Sequence, residues 1–396
     1  MSVWSSLVGQ EAAVAKLSEA AASARAIVAS RGGAHASDDA RSMSHAWLIT
    51  GPPGSGRSVA ARAFAAALQC TGETVGCGQC AGCRTTMGRT NADVVFAATE
   101  TSIINVETAR SLVLQAQSSP SQGLWRVIVV EDADRLGESG ANALLKAIEE
   151  PPEHTVWLLC APSPEDMIAT IRSRCRHLGL RIPTASAVAD LLVREGVATP
   201  EVALEAARAA QSHIGLARAL ARDPQMRERR RAIITAPASV RSVGEAVMAA
   251  DRLLETAKAQ ADAQVSERNA REKAELMRQL GMDEGESATK ASRTMIRQLE
   301  EDQKRRSKRA LTDAIDRALI DLLAIYRDVL MVQVGGDGEL INTDLSDLVH
   351  QIAQDSTPRQ TLARVDHIET ARKRLVANGN PLLVLEDMAI SLRPQA

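Results

Sequence analysis

The chain has 396 residues, 45% hydrophobic and 24% charged, the ordinary mix of folded domains, and at roughly 100–200 residues per domain it should hold two to four. Aromatic residues make up only 2%, so the core must be aliphatic and Ala-rich, which favours helices and argues against an aromatic stacking platform for single-stranded nucleic acid. With 47 basic and 49 acidic residues the net charge is −2, which argues against coating nucleic acid through bulk charge but leaves room for a local basic face.

The start, MSVWSSLVGQ, has no basic region followed by an apolar run, so no secretory signal is expected. No stretch reaches about 18 uncharged apolar residues, so no membrane span and a cytoplasmic location are expected. Over residues 1–180, short apolar runs alternate with helical patterns. The runs are His45–Thr50, Asp93–Phe96, Trp125–Val130 and Thr155–Cys160; Ser58–Leu68, Val106–Ala116 and Gly140–Glu149 are the helical patterns between them. Runs this short, bounded by turn residues and rich in Val and Ile, predict buried strands. The rhythm predicts an α/β domain with a parallel sheet covered on both faces.

The first run empties into Gly51-Pro-Pro-Gly54-Ser55-Gly56-Arg57-Ser58. This fits G-x-x-x-x-G-K-[S/T] except that Arg57 replaces the lysine. The glycines let backbone N–H groups wrap a phosphate, the helix N-terminus adds its dipole, and Ser58 is placed to hold Mg²⁺. Arg57 keeps the charge on a broad planar fork instead of a compact ammonium. The third run ends Val130-Glu131-Asp132, where a phosphate-loop ATPase would carry Asp then Glu. Each carboxylate is displaced by one methylene, roughly 1.5 Å. Phosphoryl transfer depends on positioning, and shifts of that size cost about 100-fold each. The fourth run ends Cys160-Ala-Pro-Ser163, with no Asn or Thr to sense a γ-phosphate. These departures predict a retained ATPase fold whose own handling of ATP and Mg²⁺ is impaired.

Between the first two runs, Cys70, Cys77, Cys80 and Cys83 offer four thiolates to one tetrahedral Zn²⁺. Two successive x₂ spacings predict a tight loop, with Gly76, Gly78 and Gly82 making its turns. With every position filled by protein the zinc would be structural; an iron–sulfur cluster is the alternative. Cys160 and Cys175 read as buried thiols.

Beyond Leu180 strand signals stop. Ala185–Glu195, Pro200–Ala210 and Gly215–Ala221 predict a small helical lid over 181–224, and 225–396 predicts an all-helical domain. Leu311–Val334, Gln360–Asn378 and Pro381–Leu392 are its clearest helices. Residues 255–310 hold 13 basic and 11 acidic residues in 56 positions, with few apolar ones. This predicts a solvated helical hairpin, interrupted at Gly281–Ser287, with partial disorder as the alternative. The run Lys304–Arg309 is a candidate for phosphate contact, although most such runs are solvated faces.

Ser173-Arg174-Cys175 lies beyond the fourth run. Together with Leu7-Val-Gly-Gln10, Gly51–Ser58, Glu131-Asp-Ala-Asp134, Asn142–Pro152 and Asn378-Gly-Asn-Pro-Leu-Leu383, it resembles the clamp-loader branch of the AAA+ ATPases of bacterial DNA polymerase III. The resemblance spans nearly the whole chain except 255–310, a departure from the commonest form. It implies an AAA+ domain, a lid and an oligomerising collar. It also implies partners: other clamp-loader subunits of gamma/tau and delta type, the sliding clamp, and primed DNA reached through the complex. Arg174 would be an arginine finger completing the ATP site of a neighbour, with Arg172 and Arg176 as weaker candidates. Arg218, in Gly215-Leu-Ala-Arg-Ala-Leu220, would sit over the local nucleotide or form a structural ion pair. Two other functions stay open at this level: an ATP-hydrolysing motor subunit, and a zinc-bearing adaptor with no loading role.

Overall fold

The computed structural model describes residues 2–30, 42–97, 103–280 and 290–393. The chain divides into two compact units, residues 1–221 and 222–396. In the first, a 3-10 turn (Val3–Ser6) precedes α1 (Glu11–Ala29), β1 (Ala46–Thr50), α2 (Arg57–Leu68), α3 (Ala81–Met87), β2 (Val94–Ala97), α4 (Val106–Ala116) and β3 (Arg126–Val130). There follow α5 (Glu138–Glu149), β4 (Thr155–Ala161), α6 (Ala169–Arg172), β5 (Arg176–Gly179), α7 (Ala185–Arg194), α8 (Pro200–Ala209) and α9 (Ile214–Arg222).

The five strands form one sheet in the order β2-β3-β4-β1-β5, and every pair is parallel. Side chains alternate across a strand, so a two-sided sheet needs apolar residues at every position. β1, Ala-Trp-Leu-Ile-Thr, is buried throughout, as is β4. Trp47 and Ile49 join Phe64 and Leu17 in the core under α1 and α2. Leu48, Ile128, Trp157 and Leu159 meet Leu144 and Ile148 in the core on the opposite face. The expected parallel α/β sheet is therefore present.

Several elements escape the sequence pattern, among them α3, α6, β5 and α1. β5 reads Arg-His-Leu-Gly with only Leu178 buried; an edge strand covered on one side needs no continuous apolar run. Its Arg176 guanidinium lies over the Trp47 ring at 5.0 Å, so a charged residue serves as the sheet's flank. Helix α1 is carried by alanines, with Ala13, Leu17, Ala20, Ala21 and Ala24 buried, and small residues give a weak periodic signal.

The loop entering β3 hangs on one carboxylate. Asp93 is fully buried and accepts from the backbone N–H of Ser121 (2.7 Å), Gln122 (2.8 Å) and Gly123 (2.6 Å), and from Ser121 Oγ (3.0 Å). Burial raises its pKa, but these donors overcome that and leave it below the ordinary aspartate value.

The second unit is helical: α10 (Pro224–Ser239), α11 (Val243–Gln279), α12 (Lys290–Gln333), a 3-10 turn (Thr343–Leu345), α13 (Ser346–Gln354), α14 (Pro358–Val376) and α15 (Pro381–Ser391). Its core gathers Ile234, Leu254, Ile315, Leu319, Leu322, Tyr326, Val349, Ile368 and Leu385. A buried polar network threads it. Arg230 donates to Asp321 (2.9 Å) and to Asn342 Oδ1 (2.6 Å), and Asn342 donates from its backbone (2.8 Å) and its amide (2.9 Å) to Asp328.

Residues 255–280 and 290–310 lie on α11 and α12, which pair side by side. Ala261 and Val265 pack with Ala310; farther out the contacts are polar, Arg306 to Glu272 (2.8 Å) and Lys273 to Glu300 (3.3 Å). The predicted interruption at Gly281–Ser287 lies outside the described residues.

Removing the Asp93 carboxylate should strand three backbone donors. We expect Asp93→Ala to destabilise the first unit by about 3 kcal/mol, read by urea unfolding followed through tryptophan fluorescence. Because the folded pKa is depressed, this stabilisation is present at neutral pH and is lost as pH falls below the unfolded value, about 3.9, through the lower folded one. Wild type should accordingly approach Asp93→Ala in stability under acid.

Candidate nucleotide site and metal centre

The strand register sets the site. Thr50 pairs with Ala161 and Val130 with Leu159, so the phosphate loop leaving β1 and the acidic pair leaving β3 flank the C-terminal tip of β4. Ligands of parallel sheets bind at such carboxyl ends. Cys160, on β4, feels the charges of Glu131, Arg57 and Asp132, and burial above all pushes its thiol up to about 12. Arg57, Glu131 and Asp132, of the expected residues, are thus brought together around an inert, protonated thiol.

The loop has the backbone its glycines predict. Gly54 and Gly56 have φ of 90° and 89°, values open to glycine at no steric cost. Gly56 is the N-cap of α2, and Ser58 stands in the first turn with its N–H groups. The Ser55 hydroxyl is buried without a hydrogen-bond partner. Two contacts close the loop from outside. A Cβ on Gly54 would lie 2.9 Å from the His213 Cα, so the turn before α9 sits directly on the loop. Gln10 donates to Ser55 O (3.3 Å) and Arg181 O (2.5 Å) and accepts from Arg181 N (3.2 Å). Arg57 does not project outward; its Nη1 donates to Gly51 O at 2.6 Å.

The acidic tip is engaged as well. Glu131 Oε1 accepts from Arg89 Nη2 at 2.5 Å, and the Arg89 guanidinium lies 4.9 Å from the centre of the Phe96 ring. Arg62, on α2, is drawn below the ordinary arginine pKa by burial first and by Arg89, against the pull of Glu131. Asp134 is pushed up by burial and by Asp132, with Arg57 opposing.

The four cysteines converge as their spacing predicts, with sulfurs all within 4.8 Å of one another. Cys70 and Cys77 stand 3.7 Å apart and Cys80 and Cys70 3.9 Å. Four thiolates at about 2.3 Å from one tetrahedral ion would be about 3.8 Å apart, so the set fits an ion such as zinc. The predicted tight loop is only half right. Gly76 and Gly78 turn with φ of 75° and 74°, but Cys80 caps α3, accepting from Cys83 N, and Cys83 lies in its first turn. Gly82 is helical, and is small because a Cβ would come within 2.0 Å of Gln69 O. Burial opposes ionisation of Cys80, yet the N–H of Cys83 and Thr71 with nearby side chains hold its thiol down at about 5. Burial pushes Cys83 up.

Arg174 lies elsewhere. Trp47 pairs with Arg176, so Arg174 precedes the N-terminal end of β5, at the sheet edge opposite the phosphate loop. Its side chain pairs with Glu149 at the end of α5 and donates to Thr170 O (2.8 Å), with 39% of it exposed. Of its neighbours, Arg172 reaches Pro164 O at 3.4 Å, and Arg176 covers Trp47. Arg218 makes a two-pronged pair with Glu195, both bonds 2.9 Å. The sequence reading missed His213, Arg62 and Arg89. None belongs to a spaced motif, and only tertiary contact reveals them.

The parallel sheet, the glycine loop that opens α2 and the acidic tip of β3 have the layout of a phosphate-loop nucleotide-binding fold. A family model described as "DNA polymerase III, delta subunit" matches residues 35–184. The chain is 35% identical over 159 residues to the Mycobacterium tuberculosis DNA polymerase III subunit gamma/tau, covering 39% of this chain and 28% of the relative. It is 34% identical over 165 residues to the Pseudomonas aeruginosa DNA polymerase III subunit delta', covering 41% of this chain and 50% of that protein. Thus the match spans only about a quarter to a half of these relatives. A solved Thermotoga maritima structure described as DNA polymerase III, gamma subunit-related, aligns with a TM-score of 0.42 at 16% identity over 88% of this chain and 94% of its own, too distant to inform the site. Over residues 35–184, the chain is thus similar to DNA polymerase III clamp-loader subunits.

Metal analysis of the purified chain should find about one tetrahedral ion, zinc being the expectation, with Cys80→Ser reducing it below about 0.1 per chain. Iron in its place would instead identify a cluster.

Proposed function

We propose that this chain is a delta'-type subunit of a DNA polymerase III clamp loader, which hydrolyses no ATP itself and donates Arg174 to an ATP site on a neighbouring subunit. The observation that carries this is the placement of Arg174 across the sheet from the chain's own phosphate loop. Over a strand of five residues the two edges are separated by roughly 15 Å, beyond the reach of one side chain, so Arg174 serves a neighbour or nothing. Relatives named delta' and gamma/tau support the clamp-loader part of this reading.

In this reading the first 180 residues form the AAA+ module, 181–224 the lid and 225–396 the collar that packs on gamma/tau- and delta-type partners, with 255–310 projecting from it. The assembly would load the sliding clamp onto primed DNA in the cytoplasm. The zinc held by the four cysteines would be structural, its ion holding the N-terminal 3-10 turn through Val3 N and Ser2 Oγ on Gly76 O (3.0 and 3.1 Å). Among the described residues no helix is long and apolar enough to cross a membrane.

An arginine finger is worth roughly 10³–10⁵ in turnover. In a loader reconstituted with its partners, Arg174→Ala should lower hydrolysis at the adjoining site by about 10³-fold while assembly survives. Unchanged turnover would remove the finger assignment and favour an adaptor. ATP hydrolysis by the isolated chain, abolished by Arg57→Ala, would instead favour a motor subunit.

A further inference from the structure

Glu131 stands where the family resemblance puts the carboxylate that orients Mg²⁺. Mg²⁺ demands near-octahedral oxygen ligands at about 2.0–2.1 Å and gives up its waters reluctantly. The residues present do not fit that ion. Glu131 is only 13% exposed, and one of its oxygens is already held by Arg89 at 2.5 Å. The Arg62 guanidinium lies close enough to feel both Arg89 and Glu131, and its Nε is buried without a hydrogen-bond partner. Two fixed positive charges therefore bear on the one carboxylate. A divalent cation would have to displace the first and sit beside the second.

Arg89 is no freely swinging surface side chain. It follows Gly88, the C-cap of α3, and holds the left-handed φ of 59°, uncommon for a residue with a side chain. Its N–H bonds to Thr86 O at 3.0 Å, and its guanidinium rests on Phe96 of β2, the neighbour of β3. The helix that aims it begins at Cys80 and Cys83. The four-cysteine centre is thus the footing of the cation at Glu131.

We infer that Arg89, presented by the four-cysteine module and reinforced by Arg62, takes the place of a divalent cation at Glu131, so that this chain's own phosphate site excludes Mg²⁺. This deepens the reading of a non-hydrolysing subunit and rests on it. It also names the residue responsible, beyond the altered motif positions themselves. Any nucleotide held by the loop would be held without metal.

The test uses Mn²⁺ as the probe, followed by electron paramagnetic resonance on the full, isolated chain with ADP present and the thiolate-bound metal in place. Mn²⁺ prefers oxygen donors and leaves the thiolate site alone. Wild type should bind Mn²⁺ no better than Glu131→Gln does. Arg89→Asn, whose side chain tolerates left-handed backbone, should create one site at least about tenfold tighter, and Arg89→Asn combined with Glu131→Gln should abolish it. Arg89→Gly, at ease with the same φ, supplies a second variant if the first folds poorly, with circular dichroism and the metal content of the thiolate site as checks. The inference fails if wild type already binds Mn²⁺ through Glu131, or if neither Arg89 variant gains a site. No partner subunit is present, so this outcome is independent of the Arg174 assignment.

Discussion

Because every strand of the sheet runs the same way, the sheet has a chemical direction, and the placement of function follows from it. All C-terminal tips gather at one edge, where β1 yields the phosphate loop and β3 the acidic pair. All N-terminal ends gather at the other, where Arg174 precedes β5 and Glu149 ends α5 before β4. An antiparallel sheet would mix the two sets of ends. Parallel order thus puts the phosphate loop and Arg174 at opposite ends of the sheet, an arrangement that would suit the head-to-tail contact in a ring that the proposed function requires.

The four-cysteine module is tied into the first unit at several points. Arg25 of α1 donates to Cys70 O at 2.8 Å and Glu73 O at 3.0 Å. The N-terminal turn bonds to Gly76, and a Cβ there would lie 2.8 Å from Trp4 Nε1. Gln69, at the end of α2 just before Cys70, bonds to Trp125 O (2.5 Å) and Leu124 N (2.9 Å) in the approach to β3. One small loop therefore joins the N-terminus, the helix of the phosphate loop and the strand that carries Glu131. An ion binding four thiolates would stiffen all three together, which a hydrophobic contact of the same size could not do.

The fold was legible where a residue type has one physical use. Fully apolar runs marked β1, β3 and β4, because only a sheet covered on both faces buries every position. Glycine in the phosphate loop and four closely spaced cysteines were equally direct. Legibility failed where the same residues serve by tertiary contact. β5 is polar and is recognised only by its pairing with β1. The helical role of Gly82 follows from its approach to Gln69, which no spacing rule contains. Arg89 and Arg62 look like ordinary surface cations in the sequence; their meaning depends on β2 lying beside β3. The local site was therefore half visible: its altered motif positions could be read directly, but not the residues that occupy it.

The arginines of the first unit differ in how firmly they are held, and this separates their roles. Arg57 bonds within its own loop, and Arg89 holds both the Phe96 ring and a carboxylate that is only 13% exposed, so redirecting either toward a ligand means giving up more than one exposed ion pair. Arg218 and Glu195 hold each other through two parallel bonds, a geometry that resists loss of one partner. Arg174 is paired with Glu149, and both side chains are about two-fifths exposed. An ion pair in that setting is worth about 0–1 kcal/mol, because water solvates each charge almost as well when they part. A phosphate on an adjoining surface, carrying more charge in a drier place, competes easily for such a guanidinium. In the proposed reading, this low cost is what would let Arg174, at the end of the sheet away from the chain's own phosphate loop, turn toward another chain.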